Sequence, residues 1–90
     1  MAPVSVFAEP TPNPNAYKFT LSCPVIHAGE KTFSEAQQAE DSPVAKALFK
    51  LGGIQSLSME SNFITVTKNT DSEWSHLLPR VERAILENVK

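Results

Sequence analysis

Three prolines stand at alternate positions in Pro10-Thr11-Pro12-Asn13-Pro14-Asn15, and no regular element survives that spacing. Each proline lacks an amide donor, fixes its own φ and pushes its predecessor toward extended backbone. The run is therefore a rigid loop between strands. It also offers an exposed recognition surface, although it lacks the aromatic or basic companions that would specify a polyproline-binding partner.

The flanks of this loop read as strands. Val4 to Ala8 is the first. Ala16 to Leu21 is the second, with Tyr17, Phe19 and Leu21 on one face and Lys18 and Thr20 on the other. That two-residue alternation fits a half-buried antiparallel strand. Pro24 interrupts further pairing, Val25 and Ile26 offer a buried patch, and Lys31 to Phe33 fits a short edge extension.

Ser42-Pro43 opens a helix, because a serine caps free amides and a proline suits the first helical position. Val44, Ala47, Leu48 and Leu51 recur on one helical face, Asp41 adds negative charge near its start, and Gly52-Gly53 stops it. Ile54 to Met59 and Phe63 to Thr67 form a hairpin around Glu60-Ser61-Asn62, with Asn62 suited to an unusual backbone angle. A second helix starts near Asp71 or Ser72. Trp74, Leu77 or Leu78, Val81, Ile85 and Val89 form its apolar stripe. Pro79 falls inside that stripe and predicts one bent helix.

The chain has 90 residues. Surface scaling for that size gives about 64% of the unfolded surface buried, enough for one thin core. A single domain over residues 1–90 follows, an α+β fold with a small, mostly antiparallel sheet and two helices on one face, in the approximate order β-β-α-β-β-α. Eight basic residues against ten acidic ones, with no basic run, argue against nucleic-acid binding. No apolar run reaches the roughly 18 residues that a membrane span needs.

Chemistry-bearing residues are few. Cys23 is the single cysteine, so an intrachain disulfide is excluded. His27 follows it by four positions, and His76 is distant in sequence. Neither histidine shows a metal-ligand spacing, and Gly52-Gly53 follows a helix, the wrong context for a phosphate cradle. Arg80 and Arg83 read as solvent-facing charges. The start lacks the basic and apolar segments of a secretory signal, so a cytoplasmic setting is expected.

Taken together, Pro12-Asn13-Pro14-Asn15-Ala16-Tyr17-Lys18-Phe19, Ser42-Pro43-Val44-Ala45-Lys46-Ala47-Leu48-Phe49, Phe63-Ile64-Thr65-Val66-Thr67-Lys68 and Glu73-Trp74 resemble, in order, the blocks of the N-terminal domain of Nfu-type iron–sulfur scaffold proteins. The resemblance implies a compact α+β domain. In full-length relatives a separate C-terminal domain supplies the paired cysteines that hold an iron–sulfur cluster, and Cys23 does not match those ligands. The resemblance therefore implies an accessory or protein-interaction domain of iron–sulfur cluster assembly, not an enzyme, with no cofactor of its own. Its implied partner is an iron–sulfur scaffold, delivery or client protein, and it is expected to be a monomer or weak homo-oligomer. Pro12, Asn13, Pro14 and Asn15 form the candidate contact surface, continued by Lys46 and Lys68. The alternatives are a small thiol-dependent enzyme using Cys23, a weak metal- or iron-binding domain, and a structural domain without independent activity.

Overall fold

The computed structural model describes residues 5–24, 29–34 and 42–88. Seven elements follow one another: β1 (Val6–Pro10), β2 (Ala16–Leu21), β3 (Glu30–Phe33), α1 (Pro43–Lys50), β4 (Ile54–Glu60), β5 (Phe63–Lys68) and α2 (Trp74–Asn88). The strands form one five-stranded sheet in the order β1-β2-β5-β4-β3, and every neighbouring pair is antiparallel. The expected order holds with one addition. The Lys31–Phe33 extension is a paired edge strand in its own right, lying on β4 with Phe33 opposite Leu57.

Pairing register decides which side chains meet. Phe19 lies opposite Ile64, Tyr17 opposite Val66, Leu57 opposite Val66 and Met59 opposite Ile64. Because side chains alternate along each strand, these residues share one face with Val6, Ala8, Leu21 and Phe33. Both helices cover that face: α1 packs on α2, α2 reaches over β1, and α1 lies over β4. Phe19, Leu48, Leu57, Ile64, Ile85, Val66 and Val81 are fully buried between the layers. The other face carries Lys18, Thr20, Phe63, Thr65 and Thr67, and Lys18 Nζ sits 4.4 Å from the Phe63 ring centroid.

β1 begins and ends two residues later than Val4 to Ala8; Val4 itself lies outside the described residues. The strand therefore accommodates Pro10, and the register explains how. Ser22 N–H donates to the Ser5 carbonyl. Pairing types alternate from there, so Pro10, opposite Tyr17, occupies a non-hydrogen-bonded position where its missing donor would face the open edge.

α1 starts as its sequence predicts: Ser42 Oγ accepts from Ala45 N–H at 3.3 Å, and Pro43 takes the first helical position. Val44 and Leu48 are buried as expected. Ala45 is buried in place of Ala47, which packs at the margin. Asp41, Val25, Ile26 and Val89 lie outside the described residues. α2 runs unbroken through Pro79. The proline forfeits one bond, to the carbonyl of Ser75, and both residues are exposed, so water can satisfy that carbonyl.

In the β4–β5 turn the positive φ falls on Ser61, at 50°, and not on Asn62. Asn62 is engaged instead with β2: its carbonyl accepts from Leu21 N–H at 2.7 Å and its Nδ2 donates to the Leu21 carbonyl at 3.1 Å.

The helix stop has two unequal glycines. Gly52 (φ 78°) has open space where a Cβ would stand, whereas at Gly53 (φ 80°) a Cβ would lie 2.6 Å from Ser72 Oγ. Gly53 also accepts from Asn69 N–H, tying the helix exit to the segment before α2. Gly52→Ala is expected to cost about 1 kcal/mol from its left-handed backbone alone. Gly53→Ala should cost clearly more, read as the larger drop in urea midpoint at an unchanged denaturant slope.

Candidate functional site

The loop of residues 11–15 is held from within and from beneath. Thr11 Oγ1 lies 2.9 Å from the Asn13 carbonyl and 3.0 Å from the Ala16 carbonyl. It also accepts from Asn13 N–H at 3.2 Å. Asn13 Oδ1 accepts from Asn15 N–H at 2.9 Å, and the Asn13 carbonyl accepts from Ala16 N–H at 3.0 Å. Such side-chain-to-backbone bonds are the means by which asparagine and threonine fix a turn.

Two side chains from later in the chain fasten this loop to the sheet. Trp74, at the start of α2, donates Nε1–H to the Pro14 carbonyl at 3.2 Å. Its ring lies against Tyr17, with centroids 4.7 Å apart and planes tilted by 53°. Lys68, the last residue of β5, is only 7% exposed. Its Nζ donates to Asn15 Oδ1 at 3.0 Å and to the Asn69 carbonyl at 3.3 Å, while its backbone N–H donates to the Asn15 carbonyl at 2.8 Å. A buried ammonium needs such acceptors, because leaving its hydration shell uncompensated is costly.

The sequence-predicted surface is thus divided by burial. Pro12, Asn13 and Pro14 are exposed, and Asn15 is half-buried and occupied by Lys68. Lys46 is exposed on α1. Lys68 does not continue the outer surface: it belongs to the same strand face as Ile64 and Val66 and points its ammonium at the underside of the loop. Trp74, read from its spacing as a core residue, is half-buried and serves as the loop's donor.

The reactive-residue alternatives find little company. Cys23 is a free, half-buried thiol. His27 lies outside the described residues, and His76 is exposed on α2. Among the described residues, no group of three or more His, Cys, Asp or Glu side chains is placed to hold a metal ion. No helix among them is long and apolar enough to cross a membrane.

Residues 6–90 match the family model described as the N-terminal part of the scaffold protein Nfu/NifU. The chain belongs to this Nfu N-terminal family. It is 34% identical over 79 residues to NifU-like protein 5, mitochondrial, of Arabidopsis thaliana, covering 88% of this chain and 29% of that protein. It is 36% identical over 80 residues to the mitochondrial NFU1 iron-sulfur cluster scaffold homolog of Homo sapiens, covering 88% of this chain and 32% of that protein. The Nfu domain thus spans about a third of the length of the curated relatives it matches. Among solved structures, protein SAV1430 from Staphylococcus aureus superposes with a TM-score of 0.77 at 27% identity, covering 89% of this chain and 96% of that one. The NifU-like protein from Saccharomyces cerevisiae shares the fold, with a TM-score of 0.82 at 20% identity, covering 93% of this chain and 76% of that one.

The Nfu match is to the N-terminal part of a scaffold protein. With a single cysteine, the chain carries no cluster-ligating cysteine pair. The cytoplasmic expectation is corrected: the plant, human and fly relatives are mitochondrial by name. That expectation rested on a missing secretory signal and an unpaired cysteine, and neither feature distinguishes one reducing compartment from another.

Lys68→Met should remove two hydrogen bonds and leave Asn15 Oδ1 and the Asn69 carbonyl without their buried donor. A loss of about 1–3 kcal/mol in unfolding free energy is expected in urea titration.

Proposed function

We propose that this Nfu-type domain is a protein-recognition module of iron–sulfur cluster assembly, docking a scaffold, delivery or client protein through Pro12, Asn13 and Pro14. Membership of the scaffold family supplies the process. The single structural observation that supports the site is the exposed proline–asparagine loop, fastened by Trp74 and Lys68. A loop already fixed loses little conformational freedom on binding, so more of its contact energy appears as affinity. Exposed loops on a rigid scaffold are common carriers of recognition. Lys46, exposed on α1, is a peripheral contact in this reading.

The cluster itself is cargo of the partner. Its thiolate ligands come from a cysteine-paired domain, since this chain has one thiol. The domain acts as a monomer or weak homo-oligomer that brings such a partner and its recipient together.

Titrating the isotope-labelled chain with a purified, cluster-loaded Nfu-type C-terminal domain, and in parallel with a delivery and a client protein, should shift amide resonances of residues 11–16. Replacing Pro12 and Pro14 with Ala should raise Kd about three- to tenfold by returning freedom to the loop. No saturable shift at this loop with any of the three partner classes would sink the reading.

A further inference from the structure

The sheet ends in two edges, and they are built differently. β3 is the guarded one. Lys31, opposite Met59, stands on the helix-side face of that edge and is exposed, and Glu30 beside it is exposed as well. A charge on the inner face of an edge strand opposes the addition of a further strand. β1 lacks such a guard from Val6 to Ala8. It has no charge and no proline there, and its register with β2 runs without a bulge.

The hydrogen-bond parity of β1 decides what its open edge offers. Ser22 N–H donates to the Ser5 carbonyl, so the backbone groups of Phe7 and Glu9 face β2 and those of Val6 and Ala8 face outward. The outward N–H and C=O groups of Val6 and Ala8 have no partner among the described residues. Pro10 is the next outward position and has no N–H, so the row of donors stops at Ala8. The edge is also apolar. Among the described residues the exposed large apolar side chains are Phe7, at 65%, and Leu86, at 41%. Phe7 is on β1, and Leu86 is on α2, the helix that packs over β1.

We infer that the open edge of β1 pairs with the same edge of a second copy of this chain, antiparallel about a two-fold axis that sets Phe7 opposite Phe7. Self-complementarity argues for a second copy. In this register Val6 of each copy exchanges both backbone bonds with Ala8 of the other, so every outward group of those two residues is satisfied. Phe7 takes the non-hydrogen-bonded position, where opposite side chains stand closest, and an aromatic pair forms across the axis. Glu9 falls opposite a neutral Ser5, so no like charges are opposed. Moving the axis to Ala8 would set Phe7 against Glu9 and turn the Val6 carbonyl toward the donorless Pro10. Opposite side chains share a face, so the helices of both copies stay on one side of the joined sheet. A single short strand pair is a small interface, and Kd is expected on the order of 0.1–1 mM. The two 11–15 loops lie at opposite ends of the joint and stay open, so this contact does not rest on the recognition role proposed above.

The test follows the full labelled chain from about 0.05 mM to about 3 mM, a range that brackets that Kd. Sedimentation should show a monomer passing into a dimer. Val6 and Ala8 amides should exchange about two- to fivefold more slowly at the highest concentration, while Phe7 and Glu9, bonded to β2 in either state, should change far less. Mixing labelled with unlabelled chain should give intermolecular contacts between Val6 of one copy and Ala8 of the other. Phe7→Lys, at an exposed position, sets like charges opposite each other and should raise Kd about tenfold or more. Ala8→Pro removes an outward donor and no bond to β2, and should abolish the dimer. Where Ala8→Pro does not fold, Phe7→Lys carries the test. A chain that stays monomeric throughout, a dimer whose contacts map to β3 or to the helices, or a dimer indifferent to Phe7→Lys would overturn the inference. Protection of Val6 and Ala8 by a strand of another protein, with the chain alone monomeric, would overturn it as well. A loop that stays silent in the partner titrations would sink the proposed function and leave this edge contact standing.

Discussion

The pairing of β2 with β5 is the constraint on which the remaining structure depends. With Phe19 opposite Ile64 and Tyr17 opposite Val66, the apolar residues of the two central strands fall on a single face. A slip of one residue would set Lys18 opposite Ile64 or Val66 and Phe19 opposite Phe63 or Thr65, so neither face of the two strands would stay apolar. Both outer hairpin partners take their register from this centre. Val6 and Ala8 follow Leu21 and Phe19, while Leu57 and Met59 follow Val66 and Ile64. The helices then have one continuous apolar surface to cover, and Leu48, Val81 and Ile85 are fully buried on it.

The same register also fixes the 11–15 loop. Continuing the Ile64, Val66 alternation by one step places Lys68 on the buried face, at the end of the sheet where the 11–15 loop enters β2. A lysine there must find neutral acceptors or drag water into the core. Asn15 and the Asn69 carbonyl meet that need, and in doing so they pin two separate loops to one ammonium. Trp74 adds a second tie through the Pro14 carbonyl while its ring packs on Tyr17. Core packing and surface presentation are therefore one arrangement at this end of the molecule.

Several parts of this were legible in the residue pattern because they rest on local physics. The alternation of Tyr17, Phe19 and Leu21, the Ser42-Pro43 helix start, the Gly52-Gly53 stop and the continuation of the α2 stripe across Pro79 each depend on chemistry within a few positions. Where the reading departed from the structure, a distant partner intervened. Ser61 takes the positive φ because Asn62 is bonded to Leu21, 41 positions away in sequence. Lys68 turns inward toward Asn15, 53 positions away. Its parity with Ile64 and Val66 was the available signal, but a lysine at a strand end is ordinarily solvated, and only the acceptors beneath the loop make burial favourable.

By itself, then, the sequence determined the element types, the two-layer α+β plan, the stiffness of the proline–asparagine loop and the absence of a paired-cysteine site. These follow from proline's missing donor, side-chain periodicity and the count of thiols, none of which needs a partner. The tertiary structure alone decided that β3 closes the sheet edge, that Lys68 is buried with its ammonium on Asn15, and that Trp74 joins the loop to α2. Those outcomes rest on hydrogen bonds and ring contacts between residues dozens of positions apart, whose distances exist only once the sheet has paired.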